Sequence, residues 1–144
     1  MDGGGCDRGK KHLTMNIAFA PSLSLKVVRP AVEFYKKAFG VTEWRLYMSP
    51  DGSIHVAELK FGEALFYLHE EMPGPNQERA PESLGGTSVM LAVFVDDPDA
   101  LMSKALEAGA RQIHAMKDFD YGLRQGVIED PFGHFWTLQK KLGE

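Results

Sequence analysis

The sequence predicts an α+β fold in which one structural unit occurs twice. Each half runs in the same order, with a strand, a helix that ends at a glycine, and three further strands. The helix-ending glycines, Gly40 and Gly109, lie 69 residues apart, and two later turn glycines, Gly62 and Gly133, lie 71 residues apart. Two curved half-sheets of this kind make one walled cavity, which is a common location for a small-molecule site.

Composition limits the size and the partners of the protein. A chain of 144 residues and 16.0 kDa with 44% hydrophobic residues is long enough for one compact domain with its own core. The net charge of −4 and the pI near 5.7 argue against nucleic-acid binding, which needs clustered Lys and Arg to displace counterions. A small molecule is therefore the expected partner, and a neutral or cationic one is easier to accommodate than an anion.

Cysteine content and hydropathy suggest where the protein resides. The only cysteine, Cys6, cannot form an internal disulfide or a multi-cysteine metal site. No stretch approaches the length of a membrane span, and no apolar signal segment follows Met1. We therefore expect a cytoplasmic protein that binds no membrane. Residues 1–16 have three consecutive glycines and no apolar periodicity, so they are predicted to form a disordered tail.

The first module is predicted over residues 17–71. Leu23 and Leu25 alternate with Ser22 and Ser24, which is typical of a half-buried strand. A helical stripe of apolar residues begins at Pro30 and ends at Gly40. Three strands are predicted next, at 44–48, 53–61 and 64–69. Residues 72–86, which carry several prolines and glycines, are predicted to link the modules.

The second module is predicted over residues 87–141. A strand at 89–95 leads to Asp96-Asp97-Pro98, a capping sequence for a helix that stops at Gly109. Three strands are predicted at 112–117, 124–129 and 135–139. Asp130-Pro131-Phe132-Gly133 forms a tight turn between the last two of them.

Three segments of the sequence are distinctive, namely residues 30–40, residues 53–62 and, above all, residues 121–136 with the motif Asp-Pro-Phe-Gly-His-x-Trp. Together they resemble the vicinal oxygen chelate superfamily, which groups glyoxalases, bleomycin-resistance proteins and extradiol dioxygenases, and within it the PhnB-like branch. The resemblance covers residues 17–141. It implies two βαβββ modules whose curved mixed sheets face each other across a cleft, with the helices outside. It also implies a homodimer that completes the pocket.

Enzymes of that superfamily usually hold a divalent metal in the cleft on four strand residues. The resemblance places these positions at Ala20, Tyr67, Met90 and Thr137. None of the four offers the imidazole or carboxylate donors that such metals need. We therefore expect no metal, no other cofactor and no catalytic residues.

Strand alternation predicts what lines the cleft instead, because residues two positions apart share a face. The lining is apolar and aromatic with few polar groups, which suits a flat or aromatic ligand with one polar end. Arg124 either clamps an acidic ligand group or pairs with Asp118, Asp120 or Asp130. The predicted ligand-binding residues are Ser22, Ser24, Trp44, Tyr47, Tyr67, His69, Met90, Phe94, Arg124 and Thr137.

The opposite parity predicts the core beneath the helices, namely Leu23, Leu25, Phe66, Leu68, Leu91, Val93 and Trp136. His134 shares the parity of Trp136, so it should point away from the cleft. His55 is predicted to be a core histidine, and His114 to face solvent. A rival metal site could combine His55, Glu58 and His69, but His55 and Glu58 would share a face only if a bulge interrupted their strand.

Three functions therefore remain open. The first is a metal-independent small-molecule-binding protein of the glyoxalase and bleomycin-resistance type. The second is a metal-dependent lyase, isomerase or dioxygenase of the same superfamily with a non-standard metal centre. The third is a structural or partner-binding module whose cleft is filled with side chains.

Overall fold

A computed structural model describes residues 16–143. The predicted disordered tail, apart from Asn16, lies outside the described residues. The chain forms eight strands and three helices in the described part. They are β1 (Ser22–Leu25), α1 (Arg29–Phe39), β2 (Thr42–Met48), β3 (Ile54–Phe61), β4 (Ala64–Glu70), α2 (Pro81–Leu84), β5 (Met90–Phe94), α3 (Pro98–Ala108), β6 (Arg111–Asp118), β7 (Leu123–Glu129) and β8 (Phe135–Lys141).

The helix boundaries follow from local chemistry. Pro30 occupies the first turn of α1, where its missing N–H costs no hydrogen bond. Gly40 ends α1 with a φ of 69°, a left-handed conformation that glycine adopts without strain. Asp97 caps α3, because its side chain accepts a hydrogen bond from the backbone N–H of Ala100 at 3.1 Å.

The strands form two four-stranded mixed sheets of the same topology. The first has the order β1-β4-β3-β2 and the second the order β5-β8-β7-β6. In each, the strand before the helix runs parallel to the last strand of the module, and the remaining pairs are antiparallel. The α+β class and the two βαβββ modules are therefore confirmed.

One core joins the two modules. Ile128, Leu138 and Trp136 of the second sheet are buried with the residues of the first sheet that face α1. The predicted residues Leu23, Leu25, Phe66, Leu68 and Trp136 are buried, and Leu91 and Val93 pack against the same core. The assignment of these residues by strand parity is confirmed.

The two sheets are open rather than closed into a barrel. Helices α1 and α3 contact each other, and the ring of Trp136 in β8 packs on Tyr35 and Phe39 of α1 and on Phe66 of β4. The helices and these aromatic rings therefore fill the space between the modules of a single chain. Each sheet turns its other face away from them, and that face is called its open face below.

The linker is held by one side chain. The Glu71 carboxylate accepts hydrogen bonds from the backbone N–H of Ala80 and the hydroxyl of Ser83, both at 2.8 Å. These two hydrogen bonds hold the pKa of Glu71 below its usual range. The carboxylate thus ties the start of the short helix α2 to the end of β4. No helix in residues 16–143 is long and apolar enough to cross a membrane.

Candidate functional site

The open face of the first sheet carries six of the predicted ligand-binding residues. Tyr67 and His69 alternate with the buried Phe66 and Leu68, so their side chains lie on this face. Trp44 and Tyr47 on β2 remain 48% and 44% exposed. The strand register places Ser22 beside Tyr67 and Ser24 beside His69. The six residues are Ser22, Ser24, Trp44, Tyr47, Tyr67 and His69.

A bulge in β2 gathers charged groups around Trp44. Glu43 pairs with Leu59 and Arg45 with Glu58, so Trp44 is the extra residue. The Lys60 ammonium lies 4.0 Å and the Arg45 guanidinium carbon 5.9 Å from the centre of a Trp44 ring. Both are cation–π contacts.

Arg45 is the partner of the only carboxylate on the open-face side of β3. Its Nε lies 3.8 Å from the Glu58 carboxylate. Hydrogen bonding to Tyr47, together with the nearby Glu58 carboxylate, raises the pKa of the Arg45 guanidinium. The guanidinium is therefore a permanent cation beside the aromatic rings of this face.

The open face of the second sheet carries Met90, Phe94 and Thr137. Met90 and Phe94 remain 51% and 59% exposed, whereas Thr137 is buried. The Gln125 side-chain amide donates a hydrogen bond to the Gln139 carbonyl oxygen at 2.7 Å, and the Tyr121 hydroxyl donates one to Gln125. These amides are fixed polar groups next to an apolar wall.

Residues of both modules line a groove. Its volume is about 430 Å³, within the range of small-molecule sites. Ser22 and Ser24 line it from β1, and Val89 and Leu91 line it from the second module. Arg79 and His134 also reach it. Two of the predicted ligand-binding residues thus border an open cavity of suitable size.

The four metal positions implied by the resemblance do not fit a metal centre. Tyr67 pairs with Ser22, and Thr137 pairs with Ala92. The neighbours of Tyr67 and Thr137 on the first strands are thus Ser22 and Ala92, each two residues after the position that the resemblance implies, Ala20 or Met90. With either set, the side chains provide no imidazole or carboxylate, so we derive no chemistry through a metal here.

The rival histidine site is only partly assembled. A register shift at the start of β3 brings the rings of His55 and His69 to 4.9 Å between centroids. Nδ1 of His69 donates to the Glu70 carbonyl at 2.7 Å, and Nδ1 of His55 lies 3.2 Å from the Glu70 carboxylate. Glu58 instead faces Arg45. Within residues 16–143, no three His, Cys, Asp or Glu side chains are arranged to hold a metal ion.

Arg124 lies apart from the other predicted ligand-binding residues. Arg124 shares a face of β7 with Gly126 and Ile128, and that face packs against α3, so Arg124 lies on the helix-covered side of the sheet. Its guanidinium donates two hydrogen bonds to Asp99 and one to Asp118, each at 2.8 Å. These contacts raise the pKa of Arg124 and lower that of Asp99. The ion pair with Asp118 is confirmed.

The Asp-Pro-Phe-Gly-His-x-Trp motif has a structural role. The buried Asp130 carboxylate accepts hydrogen bonds from the Tyr35 hydroxyl, from Trp136 Nε1 at 3.0 Å, and from the backbone N–H groups of Phe132 and His134 at 3.0 Å. Tyr35 belongs to α1 of the first module, so this carboxylate ties the modules together. His134 is buried beside it, with Nδ1 3.7 Å from Asp130.

Electrostatics support this role of Asp130. Burial alone raises the pKa of its carboxyl, but the His134 side chain and the Tyr35 hydroxyl outweigh burial, so the pKa lies below its usual range. Burial and the adjacent Asp130 charge raise the pKa of Tyr35 well above its usual range. Asp130 is thus a buried carboxylate that stays charged.

Sequence reasoning missed several polar residues of the open faces, among them Arg45, Lys60, Tyr121 and Gln125. For Lys60 a signal was present, because it alternates with the apolar Ala57, Leu59 and Phe61 and so shares the parity of Glu58. Gln125 gives a similar signal, because it precedes Gly126 and therefore lies on the opposite face of the strand. Arg45 gives no such signal, because a bulge places it and Trp44 opposite one residue.

Comparison with known proteins identifies the family. The sequence profile of the Glyoxalase/Bleomycin resistance protein/Dioxygenase superfamily matches residues 23–138. The chain belongs to this superfamily. It is 37% identical over 137 residues to an uncharacterized protein of Mycobacterium tuberculosis H37Rv, covering 91% of this chain and 81% of that protein.

Two solved structures have a similar fold. TioX from Micromonospora sp. ML1 superposes with a TM-score of 0.71 at 24% identity, covering 88% of this chain and 100% of that one. The Arabidopsis thaliana At5g48480 gene product superposes with a TM-score of 0.70 at 26% identity and the same coverage. The TioX match shows the fold alone.

Proposed function

We propose that this glyoxalase-superfamily protein is a metal-independent small-molecule-binding protein whose ligand is flat or aromatic. The observation that carries the proposal is the exposure of large apolar side chains on both open faces, at Trp44, Tyr47, Met90 and Phe94. Such residues are usually covered unless they form an interaction site. Fixed polar groups lie beside them, as expected for a binding pocket.

A second copy of the chain would complete the pocket. In a single chain the open faces are uncovered, and β1, β2, β5 and β6 are edge strands of their sheets. A two-fold dimer would set the first sheet of one protomer against the second sheet of the other. It would cover the exposed aromatic residues and protect unpaired strand edges. The ligand would then lie between protomers.

His69 is the polar anchor that the local geometry supports best. Because its Nδ1 donates to the Glu70 carbonyl, the other ring nitrogen, Nε2, is an acceptor in the neutral imidazole. A hydroxyl or amide N–H on the ligand can donate to it. Ser24 lies beside His69 in the register and can donate or accept.

The test separates binding from stability. Tyr67→Ala should weaken ligand binding by about 1 to 3 kcal/mol while changing the free energy of unfolding only slightly, because Tyr67 lies on an open face. Trp136→Ala removes a buried indole from the core and should cost about 3 to 5 kcal/mol of stability. If Tyr67→Ala destabilised the fold as much as Trp136→Ala does, the open face would not be a pocket wall.

The ligand itself is to be sought by native mass spectrometry of protein taken directly from cells. A retained organic mass that Tyr67→Ala no longer retains is the expected result. The same spectra report the metal content and the number of chains.

One observation favours the metal-dependent lyase, isomerase or dioxygenase as a second candidate. His55 and His69 lie close together, and both have Nδ1 engaged by Glu70, which leaves Nε2 of each ring available. Stoichiometric metal that is lost in His69→Ala would support this alternative and exclude the metal-independent one.

A further inference from the structure

The open faces carry a charge opposite to that of the whole chain. The net charge of the chain is −4. On the strands, register and parity place more cations than carboxylates on these two faces. The cations are Arg45, Lys60, Arg111, Lys117 and Lys141, and the carboxylates are Glu58 and Glu129.

The two carboxylates are already engaged. Glu58 faces Arg45 at 3.8 Å, and Glu129 forms an ion pair with Arg111. Among residues 16–143, no carboxylate forms an ion pair with Lys60, Lys117 or Lys141. The positive charge of three lysines on these faces is therefore not neutralised by the described part of the chain.

Aromatic rings hold these cations in place. Besides Lys60 on Trp44, the Lys117 ammonium lies 5.1 Å from the Phe119 ring centre and the Lys141 ammonium 5.9 Å from that of Phe94. Every cation–π contact in the described residues lies on the open faces or at their rim. A ring attracts a cation through its quadrupole but leaves the net charge unchanged.

We propose that the ligand is an aromatic anion, a flat ring system that bears a carboxylate or a similar acid group. This inference rests on the proposed function and specifies the chemistry of its ligand. The ring would pack beside Trp44, and the acid group would pair with Lys60, the cation next to this ring that no described carboxylate balances. An anion there balances the charge of Lys60, whereas a cationic ligand is repelled by it.

The experiment compares three probes that share one ring: 2-naphthoate, 2-naphthamide and 2-naphthylmethylammonium. Isothermal titration calorimetry on the full chain should show that naphthoate binds about tenfold more tightly than naphthamide, and the ammonium compound most weakly. Raising NaCl from about 0.05 M to about 0.5 M should weaken naphthoate binding and leave naphthamide binding unchanged.

Two variants test whether Lys60 causes the preference for naphthoate. Lys60→Gln should lower naphthoate affinity about fivefold more than it lowers naphthamide affinity. Lys37→Gln, on the exposed side of α1, is the matched control and should change neither. Equal affinity for naphthoate and naphthamide, or a preference for the ammonium compound, overturns this inference and leaves the proposed function standing. Binding of none of the three probes by the folded protein overturns both.

Discussion

Replacing Asp130 by Asn tests whether one buried carboxylate holds the two modules together. Oδ1 accepts from two backbone N–H groups of the β7–β8 turn, and Oδ2 accepts from Tyr35 of the first module and from Trp136. Asn keeps the size and one oxygen. Its amide group, however, is a donor that faces two donors.

The expected loss of stability follows from the hydrogen bonds that Asp130 makes. If the Asn oxygen keeps the two backbone hydrogen bonds, the Tyr35 hydroxyl can turn to accept from the amide, but the indole N–H of Trp136 loses its acceptor. An unsatisfied buried donor costs about 1 to 3 kcal/mol, and the remaining hydrogen bonds lose their charge assistance. We expect Asp130→Asn to lower the free energy of unfolding by about 3 to 4 kcal/mol at pH 7.

The assay is urea unfolding followed by tryptophan fluorescence and circular dichroism. Tyr35→Phe is the graded control, because it removes one hydrogen bond to the carboxylate and leaves the other three, and should cost about 2 kcal/mol. The double variant should lose less than the sum of the single variants, because both remove the same hydrogen bond. A loss below about 1 kcal/mol in Asp130→Asn would refute the reasoning.

The effect of Asp130→Asn on stability should also depend on pH. Since the pKa of Asp130 is lower in the folded chain than its usual value, its contribution to stability is present above the unfolded pKa of about 3.9 and is lost as pH falls through the folded pKa. The stability difference between wild type and Asp130→Asn should therefore be largest near neutral pH and shrink at acid pH. A difference that stays constant down to the acid transition would contradict the assignment.

The remaining predictions concern metal, assembly and one glycine. Zn²⁺, Ni²⁺ and Mn²⁺ should not raise the melting temperature through the cleft, and elemental analysis should find no stoichiometric divalent metal; one metal per chain would contradict this. Light scattering at micromolar concentration should give about twice the 16.0 kDa of one chain, and a monomer mass would exclude the dimer. Gly133→Ala should lower stability, because Gly133 has a φ of 95° and an added Cβ would lie 2.7 Å from Cβ of Pro81. Gly143→Ala is the control for backbone strain alone, because Gly143 has a φ of 69° and no atom lies within 4 Å of an added Cβ. An equal loss of stability in both variants would contradict the packing argument.

Periodicity predicted the local features of the fold. Alternation of apolar and polar residues assigned Phe66 and Trp136 to the core, and glycine and proline positions located the helix ends. These features depend on neighbours in sequence, so a single sequence contains them. His114, predicted to face solvent, is exposed.

Features that depend on distant residues could not be predicted. Asp130 is 95 residues from Tyr35, and Arg124 is 25 residues from Asp99, so nothing local distinguishes these partners from other acids. The bulges that turn Trp44 and His55 arise from pairing between strands. The openness of the sheets depends on how the helices pack between the modules, which strand parity does not address.

The hydrogen bonds of Asp130 also distinguish the two modules of the repeat from each other. Aligning Gly40 with Gly109 matches Tyr35 with Lys104, and aligning Gly62 with Gly133 matches Asp130 with Leu59. The inter-module contact therefore exists in one direction only, and the pseudo-symmetry of the repeat is broken inside the core. A circular permutant opened in the linker would keep this contact, whereas a chain built from two copies of the first module would lack it. The two halves are similar in shape but not interchangeable.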